Sequence, residues 1–235
     1  MKLTIVIPAV SHFFSELQCC IYSLRSLVPP NTVVYIFDNG LNNHQIKIVE
    51  ERFNFVSIKI IEQKLNKLDR ISYRFKSMAF DYLIKNNILI DGVLLYLDTK
   101  THLKYNYKQL ENILKIRPVW GGDAYGTEKD WTNIKAIEKI GFDNMNLVSN
   151  TPHIQAWAML IDYNTLIGKK VISDYIRYCS DDEIIYPTDT YKGFNVEDSN
   201  NHRQDQSVWS LTLKKNNIEY NNWVQYVTEH NTMHL

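Results

Sequence analysis

Asp91-Gly-Val-Leu-Leu-Tyr-Leu-Asp98-Thr-Lys-Thr-His-Leu103 is the stretch on which the reading of this chain turns. Its centre, Val93 to Leu97, is an apolar run entered through a glycine turn and lacking polar alternation. Such a run is expected of a central parallel strand covered on both faces. The strand delivers a lone carboxylate, Asp98, at its C-terminal end. Open α/β sheets bind ligands beyond the carboxyl ends of their strands, so Asp98 stands where chemistry is expected.

On the N-terminal side, Leu3 to Ile7 is a compact β-branched run ended by Pro8, and Phe13 to Leu27 carries apolar residues at near-helical spacing. Pro29-Pro30-Asn31 breaks that helix, and Thr32 to Phe37 is a second buried strand. Asp38-Asn39-Gly40 is a turn that leaves Asp38 just past the strand's end; it serves equally well as a ligand contact or as an ordinary turn residue. Ile46 to Phe53 reads as a short helix, Val56 to Ile61 as a third strand, and Ser72 to Lys85 as a helix with Phe75, Met78, Ala79, Tyr82 and Leu83 on one face. Four strands interleaved with helices predict a doubly wound α/β half with a parallel sheet.

The C-terminal side changes character. Tyr107 to Ile116 predicts a helix, Pro118 to Gly126 is rich in turn residues, His153 to Asp162 reads as a strand and Leu166 to Tyr178 as a helix. Asp181 to Asn201 is long, polar and aperiodic, the pattern of an active-site loop or lid. Asp205 to Asn217 has an acidic first turn and two lysines near its end, as a helix favours.

Composition narrows the function classes. With 235 residues, 45% hydrophobic and 22% charged, one compact domain is expected. Lys plus Arg and Asp plus Glu both number 26, so no nucleic-acid or polybasic membrane-surface partner is indicated. Cys19, Cys20 and Cys179 form neither a disulfide framework nor a zinc spacing, which fits a reducing compartment. The opening apolar run is too short for a signal peptide, and no stretch approaches the roughly 20 apolar residues of a membrane span. A soluble, cytoplasmic protein is expected.

Four features coincide: a strand-first half opening Thr4-Ile-Val-Ile-Pro8, Asp38 after strand two, Asp98 after strand four, and a late helix opening His202-Arg-Gln-Asp-Gln-Ser207. Together they resemble the GT-A fold of nucleotide-diphospho-sugar glycosyltransferases, over nearly the whole chain. The resemblance implies a single α/β domain, Rossmann-like, with a mostly parallel sheet flanked by helices. Residues 1–104 would form the nucleotide-sugar half and 105–235 the acceptor half. It implies a nucleoside diphosphate sugar donor, UDP- or GDP-linked and carrying a hexose or deoxyhexose, and a glycan hydroxyl acceptor. Pro8, Ala9 and Asp38 would flank the nucleotide, and Arg70, Arg74 or Lys76 would supply basic contacts to the donor. Trp120, Gly122 and Trp157 would serve the donor sugar or the acceptor, with Trp157 equally at home in the core. His202 and Arg203 would orient the acid that follows them or bind the acceptor.

The family's D-x-D metal motif reads Asp98-Thr99-Lys100 in this chain, so the second carboxylate is a lysine. Two expectations follow. A divalent Mn²⁺ or Mg²⁺ is held by Asp98 with His230, phosphate oxygens and water, or Lys100 itself offsets the charge of the departing diphosphate. Asp205 is expected to be the general base of an inverting transfer; an Asp-Gln pair also occurs in retaining relatives, where it positions the sugar. A non-catalytic sugar-nucleotide or glycan-binding module and a sugar-nucleotide pyrophosphorylase are the rivals, the latter lacking its glycine-rich basic loop at Pro8-Ala-Val-Ser-His12.

Overall fold

The computed structural model describes residues 2–29, 32–121, 124–187, 202–218 and 228–230. The first half holds β1 (Leu3–Ala9), α1 (Phe14–Ser23), β2 (Val33–Asp38), α2 (Asn43–Arg52), β3 (Ser57–Glu62), α3 (Lys67–Ile71), α4 (Phe75–Lys85), β4 (Val93–Leu97) and β5 (Thr101–Leu103). After α5 (Tyr107–Ile116) come β6 (Val119–Trp120), β7 (Ala124–Thr127), α6 (Glu128–Trp131), α7 (Ile134–Ile140), α8 (Met145–Ser149) and β8 (Pro152–Ile154). The chain continues through β9 (Ala158–Asp162), α9 (Leu166–Cys179), α10 (Asp182–Ile185), α11 (Gln204–Lys215) and β10 (Thr228–His230).

Local chemistry explains many of the boundaries. Asn42, Asn66 and Asn106 each cap a helix, accepting from the third backbone N–H while the third residue's side chain accepts from theirs. Gly141 closes α7 in the left-handed conformation that lacks a steric cost only for glycine. The helix expected over Ser72 to Lys85 is broken instead: Tyr73 takes φ 55°, ending α3 and redirecting the chain into α4. The strand expected over His153 to Asp162 is likewise two strands, β8 and β9, separated by Gln155 to Trp157. Pro8 does not end β1. The strand runs on to Ala9 because β4 pairs only with Leu3 to Val6, so at Pro8 there is no neighbour on that side and the missing N–H leaves no ladder bond unmade.

The central sheet has six strands in the order β3-β2-β1-β4-β9-β6. The first four are parallel, as expected, and β9 runs antiparallel to both β4 and β6. From β1 the chain winds outward through β2 and β3, then crosses back to lay β4 on the other side of β1. That reversal opens a crevice beyond the C-terminal ends of β1 and β4.

Strand parity decides what lies under the crevice. Val93, Leu95 and Leu97 face a core shared with α1, α2 and α5, whereas Leu94 and Tyr96 face one shared with α4, α7, α9 and α11. Helices therefore cover both faces of one sheet, with all five β4 residues buried. Among the described residues, no helix is long and apolar enough to cross a membrane.

Gly92 is the pivot into β4. It holds φ 93°, and a Cβ there would lie 2.4 Å from the Lys2 carbonyl oxygen, the atom that accepts from Val93 N–H at 2.7 Å. Gly92→Ala is expected to cost about 3 kcal/mol or more through combined strain and clash, lowering the urea midpoint. Gly141→Ala, with φ 82° but nothing within 4 Å, should cost only about 1 to 2 kcal/mol. Equal losses at the two positions would show that the Lys2 contact is unimportant.

Candidate functional site

Parity carries past the strand end: Asp98 continues the Leu94–Tyr96 face and meets α4 there. Lys76, in the first turns of α4, extends its ammonium between two carboxylates. Its Nζ lies 3.4 Å from Asp98 Oδ1 and 3.0 Å from Asp205 Oδ2, and donates to the Ala156 carbonyl at 3.2 Å. The contact with Asp205 is ion-pair close without hydrogen-bond alignment. The Tyr96 hydroxyl donates to Asp98 Oδ1. Asp98 is 30% exposed, while Lys76 and Asp205 are nearly sealed. Ligand can therefore reach this cluster through Asp98.

The floor below is aromatic. Phe80 packs edge-on against Tyr96 at 5.7 Å and tilted on Tyr175 at 6.0 Å, and Tyr175 meets Trp209 edge-on at 5.3 Å. All four rings are fully buried. Such a floor strengthens the charges above it and makes their desolvation expensive. Burial accordingly pushes the Asp205 carboxyl up from 3.8 to about 6, against the opposing pull of Lys76. For Lys76, burial works against the charge, but Asp205 and then Asp98 hold its pKa above the ordinary lysine value. The Tyr96 hydroxyl is also held well above its ordinary value, by burial first and the Asp98 charge second.

A second group of expected residues gathers at the ends of β1 and β2. Ala9 pairs in register with Asp38, and the Ala9 carbonyl accepts from Asn39 N–H at 2.8 Å. Asp38 Oδ1 accepts from the Gly40 and Leu41 amides at 2.8 and 2.6 Å, so this oxygen serves the turn. Arg70 donates to the Asn39 carbonyl at 3.0 Å, which brings its guanidinium onto the same turn. Arg74 is engaged elsewhere, donating to the Cys179 carbonyl at 2.8 Å and pairing with Asp69 and Asp182.

Other expected site residues lie apart. The Lys100 ammonium sits 4.4 Å over the Phe13 ring, and Lys76 is the cation that meets Asp98. Trp120, expected as a sugar or acceptor contact, is 7% exposed in the core with its indole N–H on the Arg117 carbonyl at 2.7 Å; a buried ring offers no open face. Trp157 is half-buried, and its carbonyl accepts from Asp98 N–H at 2.8 Å. His202 is buried and accepts from Asn133 N–H at 3.2 Å through Nδ1; burial, then His153, depress its pKa to about 3. Arg203 lies over the Trp131 ring at 4.1 Å. Gly122, residues 188–201 of the expected loop and the side chain of His230 fall outside the described residues.

The chain has the fold of GT-A glycosyltransferases. Two solved structures share it. The galactosyltransferase LgtC, in complex with donor and acceptor sugar analogs, matches 87% of this chain and 68% of its own, at 17% identity and a TM-score of 0.52. The bifunctional glycosyltransferase WbbM, in its apo form, matches 90% of this chain at 10% identity and a TM-score of 0.53. This chain spans only 37% of the WbbM chain. No protein-family model matches the sequence, and no curated protein matches it significantly.

The divalent metal implied by this fold family needs a set of oxygen or nitrogen donors. Among the described residues, no group of three His, Cys, Asp or Glu side chains is suited to hold one. Asp98 meets Tyr96 and Lys76, and Lys100 stands where a second carboxylate would be. Among the described residues Asp98 is therefore a lysine-compensated carboxylate, and its expected metal-binding partner, the His230 side chain, lies outside them.

Sequence reasoning missed three polar residues. Tyr96 reads as part of an apolar strand, and nothing marked its hydroxyl. Glu128 and His153 are fully buried and hydrogen-bonded to each other at 2.9 Å; both lie in segments with weak periodicity.

Asp205 gives a measurable linkage. Because its native pKa lies above its ordinary value, the native state binds the proton more tightly. The resulting stabilisation is complete below about pH 3.8 and lost as pH rises through about 6. The excess stability of wild type over Asp205→Asn should therefore fall by about 2 to 3 kcal/mol between pH 4 and pH 7. Urea unfolding at both pH values checks this, and a flat difference would refute it.

Proposed function

We propose that this chain is a glycosyltransferase that moves a sugar from a nucleoside diphosphate sugar to a glycan hydroxyl. The Asp98–Lys76–Asp205 cluster carries the reading, because it sets a cation and two acceptors at the crevice beyond β1 and β4. The glycosyltransferase fold supports the same reading.

In this reading the nucleoside lies along the edge made by Pro8, Ala9, Asp38 and Arg70. Asp98 accepts hydrogen bonds from ribose or sugar hydroxyls through its open face. The diphosphate meets Lys76, whose charge offsets the negative charge that grows as the bond from the anomeric carbon to the phosphate oxygen breaks. The electron pair leaves with the nucleoside diphosphate, and the acceptor oxygen bonds to the anomeric carbon. With Lys76 turned toward the diphosphate, Asp205 takes the proton of the acceptor hydroxyl. Beside Lys76 the Asp205 carboxyl, at about 6, is ionised at neutral pH, and it becomes more basic as Lys76 turns away and its lowering pull is lost.

The burial of Asp205 favours a second reading, in which it only orients Lys76 and the transfer retains configuration. NMR of the anomeric configuration of the product separates the two: inversion supports Asp205 as base, and retention removes it. The lysine-compensated Asp98 supports a reaction that does not depend on added metal, and the free thiols of Cys19, Cys20 and Cys179 support a reducing, cytoplasmic setting.

The function is tested by thermal shift against a panel of nucleoside diphosphates and sugar nucleotides, with and without Mn²⁺, followed by transfer and donor hydrolysis assays. A native-state ligand at 100 times its Kd adds about 2.7 kcal/mol of apparent stability, so a shift should appear with at least one nucleotide and survive EDTA. Asp98→Asn should weaken donor binding about tenfold or more, the cost of a lost charged hydrogen bond. No shift with any nucleotide would overturn the reading. Binding without turnover would leave a non-catalytic sugar-nucleotide-binding module, and a requirement for Mn²⁺ would overturn the role given to Lys76.

A further inference from the structure

Two aromatic rings face the Lys76 ammonium. The Tyr96 ring, fully buried, lies 5.4 Å from Nζ and belongs to the floor of the cluster. The Tyr73 ring lies 6.0 Å from Nζ and is 49% exposed, so the same ammonium borders a ring that reaches solvent. Tyr73 also tilts against the half-buried Phe75 at 5.7 Å. The mechanism above gives it no task.

Its backbone makes that placement costly. Tyr73 follows the last cap residue of α3 and holds φ 55°, in the left-handed region. The residues in the same place after α4 and α11 are Asn87 and Asn217, at φ 53° and 55°. Asparagine enters that region readily at a helix end, whereas a bulky side chain there is an outlier. Among the described residues, Tyr73 is the only aromatic with positive φ.

The turn is held in this form by its other members. Arg74 donates to the Cys179 carbonyl and pairs with Asp69 and Asp182, and the Ser72 hydroxyl donates to the Leu68 carbonyl at 2.6 Å. An asparagine at position 73 would leave all of these contacts in place. The fold can therefore make the turn without the ring. Strain that persists because its surroundings over-determine it gathers at ligand clamps and active sites, and this strain lies three residues before the cation of the crevice.

We propose that Tyr73 is a sugar-contacting residue, its ring stacked on the transferred sugar of the donor beside the diphosphate that meets Lys76. The assignment rests on the glycosyltransferase reading. Within it, the ring borders the ammonium that meets the diphosphate, and the group bonded to that diphosphate is the sugar, whose C–H face suits an aromatic surface. A tyrosine that served only the turn would have no reason to replace the asparagine found at the two comparable helix ends.

Calorimetric titration of the full chain with UDP, GDP and dTDP, each alone and in hexose- and deoxyhexose-linked forms, tests the assignment. For the nucleotide sugar that wild type binds, Tyr73→Asn should raise Kd about fivefold or more, the worth of an aromatic contact. The Kd of the matching nucleoside diphosphate should change less than about twofold. Tyr73→Phe, which keeps the ring, should stay within about twofold of wild type for both ligands. Because asparagine suits φ 55°, Tyr73→Asn should unfold at the same urea concentration as wild type or at a higher one.

Equal weakening of nucleoside diphosphate and nucleotide sugar would put the ring on the nucleobase or the phosphates and overturn the assignment. An unchanged Kd in Tyr73→Asn, or a loss in Tyr73→Phe as large as in Tyr73→Asn, would overturn it too. A lower urea midpoint in Tyr73→Asn would show that the ring serves the fold, with the same consequence. If wild type binds none of these ligands, the glycosyltransferase reading itself fails and the sugar assignment falls with it; binding by wild type that Tyr73→Asn leaves untouched overturns the assignment alone.

Discussion

A single ammonium group ties the crevice together. Lys76 reaches it from the first turns of α4, Asp98 arrives at the end of β4, and Asp205 enters at the start of α11. Neither Lys76 nor Asp205 is tolerable at that depth as a lone charge, since removing one partner of a buried pair costs about 3 to 5 kcal/mol. The three elements are therefore held in mutual register by electrostatics as well as by packing. The aromatic rings of Tyr96, Phe80, Tyr175 and Trp209 below them keep water out and so keep that constraint strong.

Much of this arrangement was legible because it depends on local chemistry. The apolar run of β4, its glycine pivot and its terminal acid can be read directly from Asp91 to Asp98. The helix expected over Tyr107 to Ile116 has those bounds in the structure, since Asn106 and Gln109 form a capping box at its start. The break at Tyr73 was not legible. A tyrosine carries no mark of left-handed backbone, and tertiary contacts of Arg74 with Asp69, Asp182 and the Cys179 carbonyl surround that turn. The antiparallel β9 was equally hidden, because a buried strand has the same apolar composition whichever way it runs.

The site residues divide along the same line. Asp98 and Asp205 could be named because an element's end is visible in sequence, and Lys76 because a basic residue near a helix start stands out. That Lys76 and not Lys100 would face Asp98 depends on which side of the sheet each occupies. Parity sends Asp98 toward α4, whereas Lys100 lies in the turn between β4 and β5, where strand parity no longer holds, and rests on Phe13. Trp120 shows the reverse error. An aromatic in a turn-rich segment reads as a platform, yet β6 pairs with β9 and carries the ring into the core.

The start of α11 joins the two polar clusters. Gln204 takes a left-handed φ of 38° where the chain enters the helix, and the next two side chains diverge. Asp205 meets Lys76 above the aromatic floor, and Gln206 meets His153 beside Glu128. Successive residues on a helix are separated by about 100°, so they cannot share a partner, but they can be held from two directions. Holding both sides of one helical turn fixes its rotation about the helix axis, which a single contact would leave free. The Glu128 cluster needs no solvent to satisfy it, since its four donors come from the residue following α6, from β8 and, twice, from α11. It can therefore anchor the turn rigidly while Asp98, the exposed member of the other cluster, remains open to ligand. That division gives the crevice a fixed wall and one accessible charge, an arrangement suited to orienting a substrate before any bond is broken.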